Sequence, residues 1–130
     1  MKNGFRVSAV FPAKPSVVYK AWLSSKGHSA MTGSGAKATA RVGGKFTAWD
    51  GYIFGRTLEL EPDHRILQAW RTSEFPGDAP DSRLEISLEE TRSGTKVTIT
   101  HTEMPPEQTD SYKQGWEDFY FKPMKEYFKK

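Results

Sequence analysis

The side chains best suited to chemistry in this chain are three histidines, His28, His64 and His101. A metal site or a catalytic set needs further ligands or a base at a defined spacing, as in the helical H-E-x-x-H pattern. The three histidines are widely separated, and none belongs to such a pattern. His101 alternates with Val97 and Ile99, which predicts a core-facing or cavity-edge histidine held by a hydrogen bond. We therefore expect no bound metal, no cofactor and no catalytic residue.

Acidic and glycine-rich segments are the other candidates for chemistry. General acid–base catalysis would need a carboxylate pair in a desolvated pocket. The candidate carboxylates are Glu59, Glu61, Glu89 and Glu90. They are adjacent or alternating on strands and turns, which is typical of a solvated surface. The segments 33–35 and 43–44 lack the further glycine and the βαβ context of a phosphate-binding loop. The sequence thus favours a protein that is not an enzyme.

The elements that would position these side chains are mostly short strands. Alternation of apolar and polar residues over 5–11 predicts a half-buried strand. Pro15 then opens a short helix whose apolar face ends at Trp22. The following stretch, 27–40, is small, polar and glycine-bearing. It is predicted to be a loop or a short helical turn.

A hairpin is predicted around Asp50-Gly51, because a two-residue type I′ turn needs positive φ at both positions. This turn would place Phe46 opposite Gly55, where the ring can cover the bare glycine backbone. The apolar phase shifts after Ile53. Gly55 is therefore interpreted as a bulge or a sharp bend that curves the sheet.

Three further strands complete the predicted sheet. One covers 65–71, and a meander hairpin is formed by alternating residues in 84–89 and 97–102. Between them, 75–81 is rich in turn residues and is predicted to be a mobile loop. These antiparallel elements are all short, so one face of the sheet must be covered by a helix.

The last predicted helix runs from Ser111 to about Lys129 and carries an aromatic stripe at helical spacing: Tyr112, Trp116, Phe119, Tyr120, Met124, Tyr127 and Phe128. Ser111 and Gln114 fit a capping box at its start. Pro123 removes one backbone donor, which predicts a kink or local loosening over 119–123. The stripe must be buried against the sheet.

A curved sheet around an aromatic helix is a natural place for an apolar cavity. The candidates for lining it are Trp22, Met31, Phe46, Trp70, Trp116, Phe119 and Tyr120. The alternative is that these side chains form an ordinary filled core. In a filled core, Trp116→Ala should cost about 3–5 kcal/mol, whereas a ring at the border of a cavity should cost clearly less.

Composition limits the remaining classes of function. The 130 residues, 1–130, suit a single domain, and the chain has no cysteine. No stretch approaches the ~20 apolar residues of a membrane span, and the N-terminus lacks the apolar region of a signal peptide. The net charge is +3 with the signs mixed, except in a basic tail of Lys122, Lys125, Lys129 and Lys130. We expect a soluble, cytoplasmic protein that binds neither nucleic acid nor membrane.

Several motifs taken together resemble one family. They are Met31-Thr32-Gly33, Gly43-Gly44-Lys45-Phe46, Asp50-Gly51, Gly55, Leu60-Glu61-Pro62, Arg65-Ile66, Trp70-Arg71 and Gln114-Gly115-Trp116. Their order is similar to that in the C-terminal domain of the activator of the 90-kDa heat-shock protein ATPase. The resemblance spans nearly the whole chain.

This resemblance implies the START-like, or SRPBCC, helix-grip fold. In that α+β fold a curved antiparallel sheet wraps a long C-terminal helix, with two short helices after the first strand. It also implies two functions: carriage of a small hydrophobic or aromatic ligand between helix and sheet, and co-chaperone-like interaction with the 90-kDa chaperone. We take ligand binding first, the chaperone interaction second and an enzyme of the wider superfamily, such as a cyclase or hydrolase, third.

Overall fold

The computed structural model describes residues 3–129; Met1, Lys2 and Lys130, the last lysine of the basic tail, lie outside them. Six antiparallel strands form one curved sheet in the order β1-β6-β5-β4-β3-β2. Their bounds are Phe5–Phe11 (β1), Lys45–Ala48 (β2), Ile53–Glu61 (β3), Arg65–Thr72 (β4), Ser82–Thr91 (β5) and Gly94–Thr102 (β6). The helices are Pro15–Trp22 (α1), Ser25–Thr32 (α2), Thr109–Trp116 (α3) and Lys122–Phe128 (α4). This is the predicted helix-grip arrangement.

The β2–β3 hairpin has the predicted register. Asp50 and Gly51 have φ of 57° and 92°, which suit a type I′ turn, and Phe46 pairs with Gly55. A Cβ on Gly55 would collide with the carbonyl oxygen of Ala69 and with the Phe46 ring. The glycine is therefore needed for close approach of backbone and ring.

The predicted bulge at Gly55 was wrong. Gly55 stays in regular pairs on both sides, and the shift in register lies between Thr57 and Glu59. The phase change seen in the sequence is real, but the extra residue that produces it is Leu58. A strand glycine can mark a bulge or a close contact, and the sequence does not distinguish them.

Of the two alternatives for 27–40, a loop or a short helical turn, the helical one holds for the first part, because α2 extends to Thr32. Ser24 caps this helix by accepting a hydrogen bond from the Gly27 amide at 3.0 Å. A Cβ on Gly27 would lie 2.8 Å from the Cα of Ala21. This glycine lets α1 and α2 approach closely, and Gly33, with φ of 82°, ends the helix.

The final helix is continuous from α3 through a π turn, Glu117–Phe121, into α4. It begins at Thr109 after a 3₁₀ turn, Pro106–Gln108, so the predicted start at Ser111 was late. The capping box was also wrong, since no side chain in the described chain caps α3. The predicted loosening is present: the π turn lies just before Pro123, which has no amide hydrogen to continue an α pattern.

The π turn changes which aromatic residues face the sheet. Trp116, Tyr120, Met124 and Phe128 are buried, as is Phe121, whose ring lies 5.7 Å from that of Phe11. Phe119 is 57% exposed. Among residues 3–129, no helix is both long and apolar enough to cross a membrane.

Candidate functional site

A cavity of about 490 Å³ opens between the final helix and the part of the sheet formed by the β2–β3 hairpin and β4. Its walls are mainly aromatic. The lining residues are Trp49, Tyr52, Ile53, Trp70, Ser111, Tyr112, Gly115, Trp116, Phe119 and Tyr120. The volume lies within the range typical of small-molecule sites, roughly 300–1,000 Å³.

Four of the seven residues proposed from the sequence line this cavity: Trp70, Trp116, Phe119 and Tyr120. Trp22 lies behind the wall, stacked on Tyr120 and Trp116 with ring centroids 5.1 and 6.1 Å away. Met31 and Phe46 are buried elsewhere in the same core. The structure thus brings the helix residues and Trp70 together, and leaves the other three outside the lining.

The sequence reasoning missed six lining residues: Trp49, Tyr52, Ile53, Ser111, Tyr112 and Gly115. Trp49 and Tyr52 flank the predicted turn directly, so a search for aromatics beside Asp50-Gly51 would have found them. Gly115 gives the cavity room on the helix side, because a Cβ there would meet only the Phe119 ring, at 3.8 Å.

A directed chain of hydrogen bonds holds Trp116 in the wall. The indole N–H donates to His101 Nδ1 at 3.0 Å, so the ring proton of His101 lies on Nε2, which donates to Ser82 Oγ at 2.8 Å. The Ser82 hydroxyl donates in turn to the Trp70 carbonyl at 2.6 Å. Burial lowers the pKa of His101 to about 3, and the neutral ring suits the chain.

A second histidine holds Tyr120 in the same way. His28 Nδ1 donates to the Trp22 carbonyl at 2.9 Å, and Nε2 accepts from the Tyr120 hydroxyl at 2.8 Å. Burial lowers the pKa of His28, partly offset by that backbone hydrogen bond, and burial raises the pKa of Tyr120. The prediction of a core histidine held by a hydrogen bond is confirmed at His101, and His28 on α2 is a further case.

The cavity has one polar end. Tyr52 donates its hydroxyl hydrogen to Glu74, and Tyr112 donates to Gln108 Oε1 at 2.8 Å. Thr72 Oγ1 lies 2.6 Å from the Tyr112 hydroxyl oxygen and accepts the Glu74 amide at 3.1 Å. Burial first, then the hydrogen bond to Glu74, raises the pKa of Tyr52, which stays a neutral phenol.

The outer wall is formed by Trp49 and Phe119, whose rings meet edge to face at 5.6 Å. Trp49 has φ of 52°, an uncommon conformation for a bulky side chain. Its Nε1 is buried, and within residues 3–129 it has no hydrogen-bond partner. The turn therefore holds Trp49 against the helix at some cost in backbone and hydrogen-bond energy.

The segment 75–81, predicted to be mobile, is tied to β4. The Arg71 guanidinium donates to the carbonyls of Ala79 and Pro76 at 2.9 and 3.1 Å and pairs with Asp81 at 3.0 Å. It also lies 5.3 Å from the centre of the buried Phe75 ring. Turn-rich composition marked the irregular backbone, but the arginine that anchors it lies outside the segment.

Comparison with known proteins identifies the family. The model of the family "Activator of Hsp90 ATPase homolog 1-like protein" matches residues 12–129. The chain belongs to this family. The resemblance predicted from the glycine and aromatic motifs is therefore confirmed.

Individual relatives of this family member are distant in sequence. It is similar to the human activator of 90 kDa heat shock protein ATPase homolog 1, with 25% identity over 118 residues that cover 91% of this chain and 35% of the human protein. It thus spans about a third of that relative. A crystal structure from Chromobacterium violaceum shares 28% identity, with a TM-score of 0.75 and coverage of 100% and 99% of the two chains.

The crystal structure of an HSP90 activator from Plasmodium falciparum shows the same fold. It has 22% identity and a TM-score of 0.79, and the match covers 92% of this chain and 91% of the other. Within residues 3–129, no group of three or more His, Cys, Asp or Glu side chains could hold a metal ion.

Proposed function

We propose that this chain binds a small apolar or aromatic molecule in the cavity, without catalysing a reaction. The observation that carries the proposal is how the wall is built. Trp116 and Tyr120 line the cavity, while their polar atoms are hydrogen-bonded to His101 and His28. A ligand therefore does not have to compete for these two donors.

Such a wall favours flat ligands. Removing apolar surface from water contributes about 25 cal/mol per Å², and aromatic side chains add a preference for offset or edge-on ring contacts. The rings are also held in advance by their hydrogen bonds, which lowers the entropic cost of ordering them when a ligand binds. The site has the properties of a preformed pocket for one aromatic ligand.

Gly115→Leu tests this proposal by filling the cavity from the helix. The new side chain enters open space, because a Cβ at Gly115 meets only Phe119. We expect the neutral fluorescent probe N-phenyl-1-naphthylamine to bind wild type saturably, and the variant to bind it at least about tenfold more weakly. The unfolding free energy should stay level or rise by up to about 1 kcal/mol, since leucine is the better helix former.

Gly115→Ala is the matched control. It makes the same change in helix propensity but adds only a methyl group, so it should retain most of the probe affinity. Fluorescence titration measures binding, and urea denaturation measures stability. Absence of saturable binding by wild type, or equal binding by the leucine variant, would contradict the proposal.

A second candidate function is interaction with the 90-kDa heat-shock chaperone. It is supported by the family match and by the names of the relatives. The anchored segment 75–81 offers a surface for such a contact, with Asp78 exposed and Phe75 buried beneath it. We expect weak binding that decreases with added salt.

Titration of the purified chain into a 90-kDa chaperone, with ATP turnover as the readout, tests this second function. A change in rate that Asp78→Lys reduces and Glu89→Lys does not would support contact through the segment 75–81. The control residue, Glu89, is exposed on β5, away from this segment. If the chain neither binds the chaperone nor changes its rate of ATP turnover at high micromolar concentration, the interaction is excluded.

A further inference from the structure

We propose that the cavity selects an aromatic ligand that carries a protonated amine, over a neutral or an anionic analogue of the same shape. The inference rests on the proposed function, because it specifies the chemistry of the ligand at that site. It is carried by three features that have the same electrostatic sign: the ring faces of the wall, the orientation of the hydroxyl groups at the polar end, and the carboxylate of Glu74.

The wall itself favours a cation. Seven of the lining residues have aromatic rings, and none of the lining residues within the described chain is charged. The face of an aromatic ring carries the negative part of its quadrupole, so ammonium groups are attracted to it, most strongly where water is excluded. An anion placed among the same ring faces is repelled.

Hydrogen-bond directions at the polar end lead to the same conclusion. The side-chain amide nitrogen of Gln108, Nε2, donates to the backbone carbonyl of Glu74 at 2.9 Å. The side-chain oxygen of Gln108, Oε1, is therefore the acceptor for the Tyr112 hydroxyl. With that hydrogen used, Thr72 must donate to Tyr112. Tyr52 donates to Glu74. Every hydroxyl hydrogen of this network is therefore already donated, so Tyr52, Tyr112 and Thr72 offer a ligand only oxygen lone pairs, and the Ser111 hydroxyl is the lining donor outside the network.

These lone pairs suit a group that is rich in donors. A protonated amine has up to three N–H donors and no acceptor, whereas a carboxylate has acceptors alone. The wall donors Trp116 Nε1 and Tyr120 Oη already donate to histidines. The Trp49 N–H has no partner, but it is itself buried by protein. A ligand carboxylate would therefore lose hydrogen bonds with water and regain few of them here.

Formal charge near the polar end is also negative. Glu74, an exposed residue outside the lining, accepts the hydrogen bond of the lining residue Tyr52, so its carboxylate lies one hydrogen bond from the cavity wall. The nearby guanidinium of Arg71 is already engaged by Asp81 and by carbonyl groups of the segment 75–81. Glu74 is thus the charge that an ammonium group at this end would approach.

Three naphthalene probes of matched shape test the proposal: 1-naphthylmethylamine, 1-naphthylmethanol and 1-naphthoate. Calorimetric titration at neutral pH should give the amine the lowest Kd, roughly tenfold below that of the carboxylate, with the alcohol between them. Glu74→Gln keeps an oxygen that can accept from Tyr52 but removes the charge. It should reduce the amine-to-alcohol preference several-fold and leave the affinity for the alcohol unchanged.

Glu89→Gln removes one exposed carboxylate on β5 that does not line the cavity, and it should not alter any of the three affinities. If the alcohol or the carboxylate binds as tightly as the amine, the charge preference is overturned while ligand binding stands. If the ratio is unchanged in Glu74→Gln, the role of that carboxylate is overturned. If no probe binds, the proposed function falls together with this inference.

Discussion

Replacing Trp116 by alanine is expected to lower the unfolding free energy by about 3–5 kcal/mol, the full cost of a buried aromatic residue. Trp116 lines the cavity but is only 3% exposed, and its ring packs on those of Trp22 and Tyr120. The substitution also leaves His101 Nδ1 without its donor. Bordering a cavity and being part of a packed core are thus not alternatives at this position, contrary to the expectation from sequence.

Phe119→Ala is the control on the same helix and the same cavity. This ring is 57% exposed, so its loss should cost less than about 1 kcal/mol, while both variants change the wall that a probe would contact. Urea midpoints at constant m value would measure the difference. If both variants lose a similar free energy of unfolding, the difference in burial between Trp116 and Phe119 does not determine their contributions to stability, and the prediction is wrong.

Acidification is expected to destabilise the fold through His101. Its pKa is about 3 in the folded protein and near 6.5 when unfolded. Above pH 6.5 the ring is neutral in both states and contributes no pH dependence. Between pH 3 and pH 6.5 only the unfolded state takes up the proton. The unfolding free energy therefore falls as the pH falls, with a slope of about 1.4 kcal/mol per pH unit.

The variant His101→Gln isolates this contribution. Glutamine does not titrate, yet it can accept from Trp116 and donate to Ser82, so the slope between pH 6 and pH 4 should decrease by about 1 kcal/mol per pH unit. His28, whose pKa is lowered by burial, adds in the same direction and should remain in the residual slope. Equal slopes for wild type and His101→Gln would refute the prediction.

The features of the fold that sequence predicted well are those determined within a few residues. The turn at Asp50-Gly51 requires positive φ, and once it is placed, the pairing of Phe46 with Gly55 follows from counting. Features that depend on distant contacts were missed. Gly27 was placed in a loop or a short helical turn, and its close approach to the Ala21 backbone, which depends on how α1 packs on α2, was not predicted. The bulge at Leu58 depends on pairing with β4.

The candidate site divides in the same way. Helical spacing alone identified Trp116, Phe119 and Tyr120, because all of them lie on one predicted helix. The histidines behind the wall could not be assigned as their partners. His28 lies 92 positions from Tyr120, and only the packing of α2 against the final helix brings them together.

The π turn has a consequence for how this site could have arisen. The Lys122 amide bonds to the Glu117 carbonyl, five residues back, so removing any one residue between them would restore a regular α-helix. Glu117 and Phe119 are the exposed residues of that turn, whereas Tyr120 and Phe121 are buried. The part of the outer wall that Phe119 supplies therefore has the form of a single-residue insertion. Insertion or deletion of one codon would add or remove this part of the wall and leave the core contacts on both sides in register.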